Sequence, residues 1–159
     1  MPTEIVVGPD ECRFAESGDV LRARQVASDW AVAIHHPAAG VGVLARFSGQ
    51  PDPALRQALL LIRSFAPSAG SARHGWRAFL VGGASASEDD AAARLTQSWR
   101  LAIQAGLWRE GVLLQGEDPG GQRARSVYFD PAAGRLIVRS ARMLAPMTQQ
   151  IQLPCPLAS

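Results

Sequence analysis

Apolar positions along this chain fall mostly into short runs broken by turn residues, with two longer stretches at helical spacing. Glu4 to Val7 and Cys12 to Ala15 read as short strands separated by Gly8-Pro9-Asp10, and Ser17-Gly18-Asp19 breaks the second. Leu21 to Ala27 leads into an apolar run at Ala31 to Ile34. His36-Pro37-Ala38-Ala39-Gly40 is turn chemistry: Pro37 presets φ, Gly40 accepts positive φ, and Val41 and Val43 then resume a strand. The stretch Leu21 to Arg46 therefore predicts a lead-in and a hairpin. After a loop at Ser48 to Pro53, Asp52 can cap a helix with Pro53 at its first position. Leu55, Leu59, Ile62 and Phe65 continue it at helical spacing to about Phe65. Ala66 to Gly75 is a small-residue loop, the segment expected to be most mobile.

Trp76 to Val81 predicts a strand ending in Gly82-Gly83-Ala84, two glycines that permit close backbone approach or positive φ. Ser87 can cap a second helix that starts at Glu88 and runs through Leu95, Trp99 and Ile103 to a stop at Gly106. Val112 to Gly116 is a further strand. Ser126 to Phe129 and Arg135 to Ser140 form a second hairpin whose turn, Pro131-Ala132-Ala133-Gly134, repeats that of the first. The expected organisation is one domain over residues 1–142 and a Pro/Gln-rich tail over 143–159.

Composition narrows the function classes. Apolar residues make up 47%, which fits a folded globular chain. No run of 18 apolar residues and no basic-then-apolar leader is present, so the expectation is a cytoplasmic, bacterial-type protein without membrane insertion. The net charge is +2, and every basic side chain counted in it is arginine, spread along the chain with no basic-aromatic stripe; this argues against nucleic acid as a partner. Cys12 and Cys155 stand near opposite ends without zinc-ligand spacing. His35 and His36 point to opposite sides of a strand, so they read as a solvated pair beside the turn and not as a metal site. Neither a metal nor a cofactor is expected.

Several short blocks resemble the chemoreceptor glutamine deamidase family, CheD. The family has Gly-Ser-Cys, an apolar strand, an Asp-Pro turn and a second strand ending in Ala-His. Here Ser28 falls on the serine, Pro37 on the turn proline, and Gly42 and Ala45 on the second strand. Gly82-Gly83-Ala84 matches a strand-ending Gly-Gly-Ala. Asp118, Gly120, Gly121 and Arg125 match a second signature, in which Gln122 replaces the usual Asn and Ala124 the usual Gly. The resemblance implies an α/β (α+β) layered sandwich of mixed β-sheets with two main helices, similar to the cysteine hydrolase domain of cytotoxic necrotizing factor.

The same frame puts Asp29 at the position of the family's nucleophilic cysteine, Arg46 at its histidine and Ala23 at its threonine. Deamidation needs a nucleophile and a base that activates it. Asp29 is a poor nucleophile toward an amide, Arg46 stays protonated, and Ala23 offers no hydroxyl. Asp29 and Arg46 nevertheless keep the charge signs of a thiolate–imidazolium pair, which predicts a salt bridge between them. Three functions compete. The first is a pseudoenzyme of chemotaxis that binds a methyl-accepting chemoreceptor or a CheC-type phosphatase. The second is an active deamidase with a non-standard site. The third is a small-molecule binder that uses the Gly82-Gly83 and Gly120-Gly121 loops.

Overall fold

The computed structural model describes residues 3–16, 18–65, 75–84, 91–140 and 147–153. Ten strands and two helices occupy them: β1 Thr3–Val6, β2 Cys12–Ala15, β3 Asp19–Val26, β4 Trp30–His36, β5 Val41–Phe47, α1 Asp52–Phe65, β6 Arg77–Gly82, α2 Ala91–Arg109, β7 Leu113–Pro119, β8 Arg125–Asp130, β9 Arg135–Ser140 and β10 Met147–Gln152. The strands form two five-stranded sheets, ordered β1-β3-β8-β9-β10 and β2-β5-β4-β6-β7. Both are mixed: β1–β3 and β6–β7 pair in parallel, and the other neighbours are antiparallel. The architecture is the expected layered α+β sandwich.

Three layers follow from two apolar clusters. One holds Val32, Ile34, Val43, Ala45 and Phe47 of the second sheet against Leu55 and Ala58 of α1 and Ile103 and Leu107 of α2. The other joins Ala31, Ala33, Leu44 and Phe79 of that sheet to Leu21, Ala23, Val127, Phe129, Leu136 and Val138 of the first. The second sheet is thus covered on both faces, and every residue of β4 and β5 is buried. The first sheet is covered on one face, and β8 alternates strictly between buried and half-buried residues.

That layering corrects the reading of the histidines. They do point to opposite faces of β4, but both faces are interior, so both rings are buried and not solvated. His35 Nε2 donates to the Pro131 carbonyl at 2.9 Å, and the ring stands edge-on to Phe129 on the inter-sheet side. His36 Nδ1 accepts from the Ala39 N–H at 3.2 Å, and its ring packs edge-on against Trp76 on the helix side. Burial pushes both imidazoles below their ordinary pKa.

Helix ends shift for identifiable reasons. The Pro51 carbonyl accepts the first helical bond, from Leu55 N–H at 2.9 Å, so Asp52 is the first residue of α1 and not its cap. α2 runs past Gly106 to Arg109. Gly106 is no stop: it lies where α2 meets α1, and a β-carbon there would collide with Leu55. The stop is Gly111, at φ 74°, where Gly111 N–H bonds to Trp108 O and Val112 N–H to Leu107 O. Met147–Gln152, within the expected tail, pairs with β9 as a strand of the first sheet. The expected Ser87 cap, the Glu88 start, residues 66–74 of the expected loop and Cys155 lie outside the described residues.

Candidate functional site

β3 carries an irregularity between Ala23 and Val26, with Gln25 at φ 51°. The bulge turns the Arg24 and Gln25 carbonyls out of the ladder, toward the inter-sheet space. Arg46 reaches that space from β5, on the same side of the strand as Leu44. Its Nη1 donates to Arg24 O at 2.6 Å, its Nη2 to Gln25 O at 3.1 Å, and its Nε to Asp29 Oδ2 at 2.5 Å. Asp29 Oδ1 accepts the Ala27 N–H at 2.7 Å. The two side chains are only 11% and 12% exposed. The predicted pair therefore exists, and it is buried and hydrogen-bonded on both sides. Ala23 sits beside it in the inter-sheet core with no exposed surface, and Ser28 is exposed on the bend before β4.

The two glycine motifs meet this pair through backbone bonds. Gly83 N–H donates to Asp29 O at 2.9 Å, Ala84 N–H to Ala27 O at 2.7 Å, and Gly120 N–H to Gly82 O at 2.8 Å. Gly82 and Gly83 both have positive φ. A β-carbon on Gly82 would fall on the Asp29 carbonyl oxygen, and one on Gly83 would enter the Trp30 ring. Asp118 and Arg125 form an ion pair at 2.9 Å across the Gly120-Gly121 turn, while Gln122 is exposed at its tip. Residues from three separate motifs thus converge at one end of the sandwich.

Three contributors were not singled out from the sequence. Trp30 donates from its indole N–H to Thr96 O at 3.1 Å, which ties the site to α2. The Arg24 and Gln25 carbonyls take two of the Arg46 bonds; no glycine in Arg22-Ala23-Arg24-Gln25 signals the bulge. On the α2 side of the second sheet, the face opposite the pair, lies an open cleft of about 530 Å³, bordered by Trp30, Gly83, Thr96, Arg94, Gly120 and Gly121.

No alternative nucleophile–base pair sits here among the described residues. His35 is six residues along β4 from Asp29, which at ~3.3 Å per residue is roughly 20 Å away. Cys12 pairs with Ala45 on the helix side of β5, the face opposite Arg46, and burial pushes its thiol up to about 12. Among the described residues no group of three or more His, Cys, Asp or Glu could hold a metal ion. None of their helices is long and apolar enough to cross a membrane.

The fold is a mixed two-sheet α+β sandwich with both helices on one side, and the ion pair is held beneath two glycine turns. The family model described as "CheD chemotactic sensory transduction" matches residues 57–140, just over half of the chain, and the chain belongs to that family. It is similar to the probable chemoreceptor glutamine deamidase CheD of Solibacter usitatus, with 27% identity over 147 residues, covering 84% of this chain and 86% of the relative. It is also 26% identical over 152 residues to the probable chemoreceptor glutamine deamidase CheD 1 of Syntrophus aciditrophicus, covering 87% and 94% of the two chains.

Proposed function

We propose that this chain is a non-catalytic CheD-family protein of the cytoplasm that binds a chemoreceptor, or a CheC-type phosphatase, without deamidating it. The observation that carries the reading is the Asp29–Arg46 pair. A thiol nucleophile and an imidazole base would have to act from these two positions, and instead they hold a carboxylate and a guanidinium bonded to each other. Each of the three nitrogens of Arg46 already donates within the fold, so the guanidinium is fixed as a structural group and, always protonated, cannot serve as a base.

The binding role rests on the relatives, whose names describe proteins acting on chemoreceptors. The cleft beside Trp30 favours a second reading, a small-molecule site framed by the glycine turns.

The test is to incubate the purified chain with glutamine-containing chemoreceptor peptides, follow ammonia release, and measure peptide binding by calorimetry. Binding without ammonia above background is the expected result. Sustained turnover by the unaltered chain would overturn the non-catalytic reading. A melting shift with metabolites and none with receptor peptides would favour the second reading. Replacing the pair as Asp29→Cys with Arg46→His is expected to leave the chain inactive, because Ala23 supplies no hydroxyl and the bulge carbonyls lose their donor.

A further inference from the structure

α1 is sharply two-sided, whereas α2 is apolar on two opposite sides. Thr96, Trp99, Ile103 and Leu107 turn toward the second sheet and α1. Leu101, Ala105 and Trp108, spaced four and three residues apart, form a stripe on the other side. Trp108 is 80% exposed, Leu101 57%, and Leu113 at the start of the edge strand β7 is 53% exposed. An apolar groove of about 660 Å³ runs between this stripe and β7, with Leu107, Val112 and Leu114 in its wall. Exposed tryptophan on this scale is not explained by packing within the described chain.

We propose that this face is a two-fold interface between two copies of the chain. The stripe is self-complementary. A small residue, Ala105, stands at its centre, with one large apolar side chain four residues before it and another three residues after it. In an antiparallel α2–α2 contact the two Ala105 residues let the helices approach closely. Leu101 of each copy then meets Trp108 of the other on either side of the axis, with Leu113 closing the groove. Exposed side chains of this number and size, with a tryptophan worth roughly 200 Å² alone, give an apolar patch of roughly 400 Å² per copy. Two patches and their rim bury about 1,000–1,200 Å², the low end for a specific interface. That size fits a reversible dimer with a dissociation constant on the order of micromolar, and it rules against an obligate one.

Sedimentation velocity on the full chain, from low to high micromolar concentration, tests the proposal. The weight-average mass should rise from 16.9 kDa toward twice that value. Trp108→Glu should raise the dissociation constant about thirtyfold or more while leaving the circular dichroism spectrum unchanged. In a Cys155→Ser background, Ala105→Cys should form an interchain disulfide under mild oxidation, and Leu95→Cys, exposed but off the stripe, should not. A chain that stays at monomer mass throughout overturns the proposal. So does a Trp108→Glu chain that dimerises equally well, or a monomeric chain that loses binding to a different protein on that substitution.

Discussion

Removing either member of the buried Asp29–Arg46 pair should destabilise the fold, and by unequal amounts. Breaking a buried ion pair from one side costs about 3–5 kcal/mol, because the remaining charge stays buried. Asp29→Ala leaves the guanidinium with two carbonyl acceptors, Arg24 O and Gln25 O, so its cost should lie near the lower bound, about 3 kcal/mol. Arg46→Ala strands the Asp29 carboxylate with the Ala27 N–H alone and also removes the donor from both bulge carbonyls. Its cost should reach the upper bound, about 5 kcal/mol. The double substitution should cost about 2 kcal/mol less than the sum of the singles, because neither charge is then left alone. Urea unfolding reads this directly: with slopes of about 1–3 kcal/mol per molar, the singles should lower the midpoint by roughly 1–5 M. Singles that each cost under about 1 kcal/mol, or strict additivity, would refute the reasoning and mark the pair as solvated.

Gly82→Ala and Gly83→Ala should lower the urea midpoint well beyond Gly120→Ala. All three positions have positive φ, worth roughly 1–2 kcal/mol for a side chain, but only the first two also place a β-carbon on the Asp29 carbonyl or the Trp30 ring. Stability should also fall as pH drops from 7 to 5. The folded-state pKa values of His35 and His36 are depressed, so the unfolded chain takes up protons first, from about pH 6.5 downward. Replacing His35 with Asn and His36 with Phe should flatten that slope, measured as urea midpoint against pH; an unchanged slope would remove the histidines from the account.

What the sequence made legible was chemistry written in short stretches. Both hairpin turns lie where Pro37–Gly40 and Pro131–Gly134 predict them, and β2 spans Cys12–Ala15 as read. The Gly82-Gly83 close approach was also predictable, because only glycine serves such a contact. The histidines were misread because alternation assigns faces but not what covers them, and only the tertiary layering makes both faces of β4 interior. Gly106 illustrates the same limit: a glycine near a helix end can mark a stop or a helix crossing, and the choice depends on Leu55, far away in sequence. The Asp29–Arg46 contact was visible only through the family frame. The bulge that completes it was not, since neither Arg24 nor Gln25 is a residue that announces positive φ or a lost ladder bond.

The unequal covering of the two sheets sets how freely the chain can drift. In β9 Leu136 and Val138 face the core and the residues between and beyond them turn away, so a substitution at the exposed Arg135 or Arg139 changes a surface and little else. β4 and β5 have no such positions, and any change of volume there is felt by one neighbouring layer or the other. The first sheet's outer face can therefore accumulate new sequence without unsettling the fold. The strands that hold Arg46 and border Asp29 have no surface position to absorb a change, so a substitution there calls for a matching change in the neighbour it packs or bonds against.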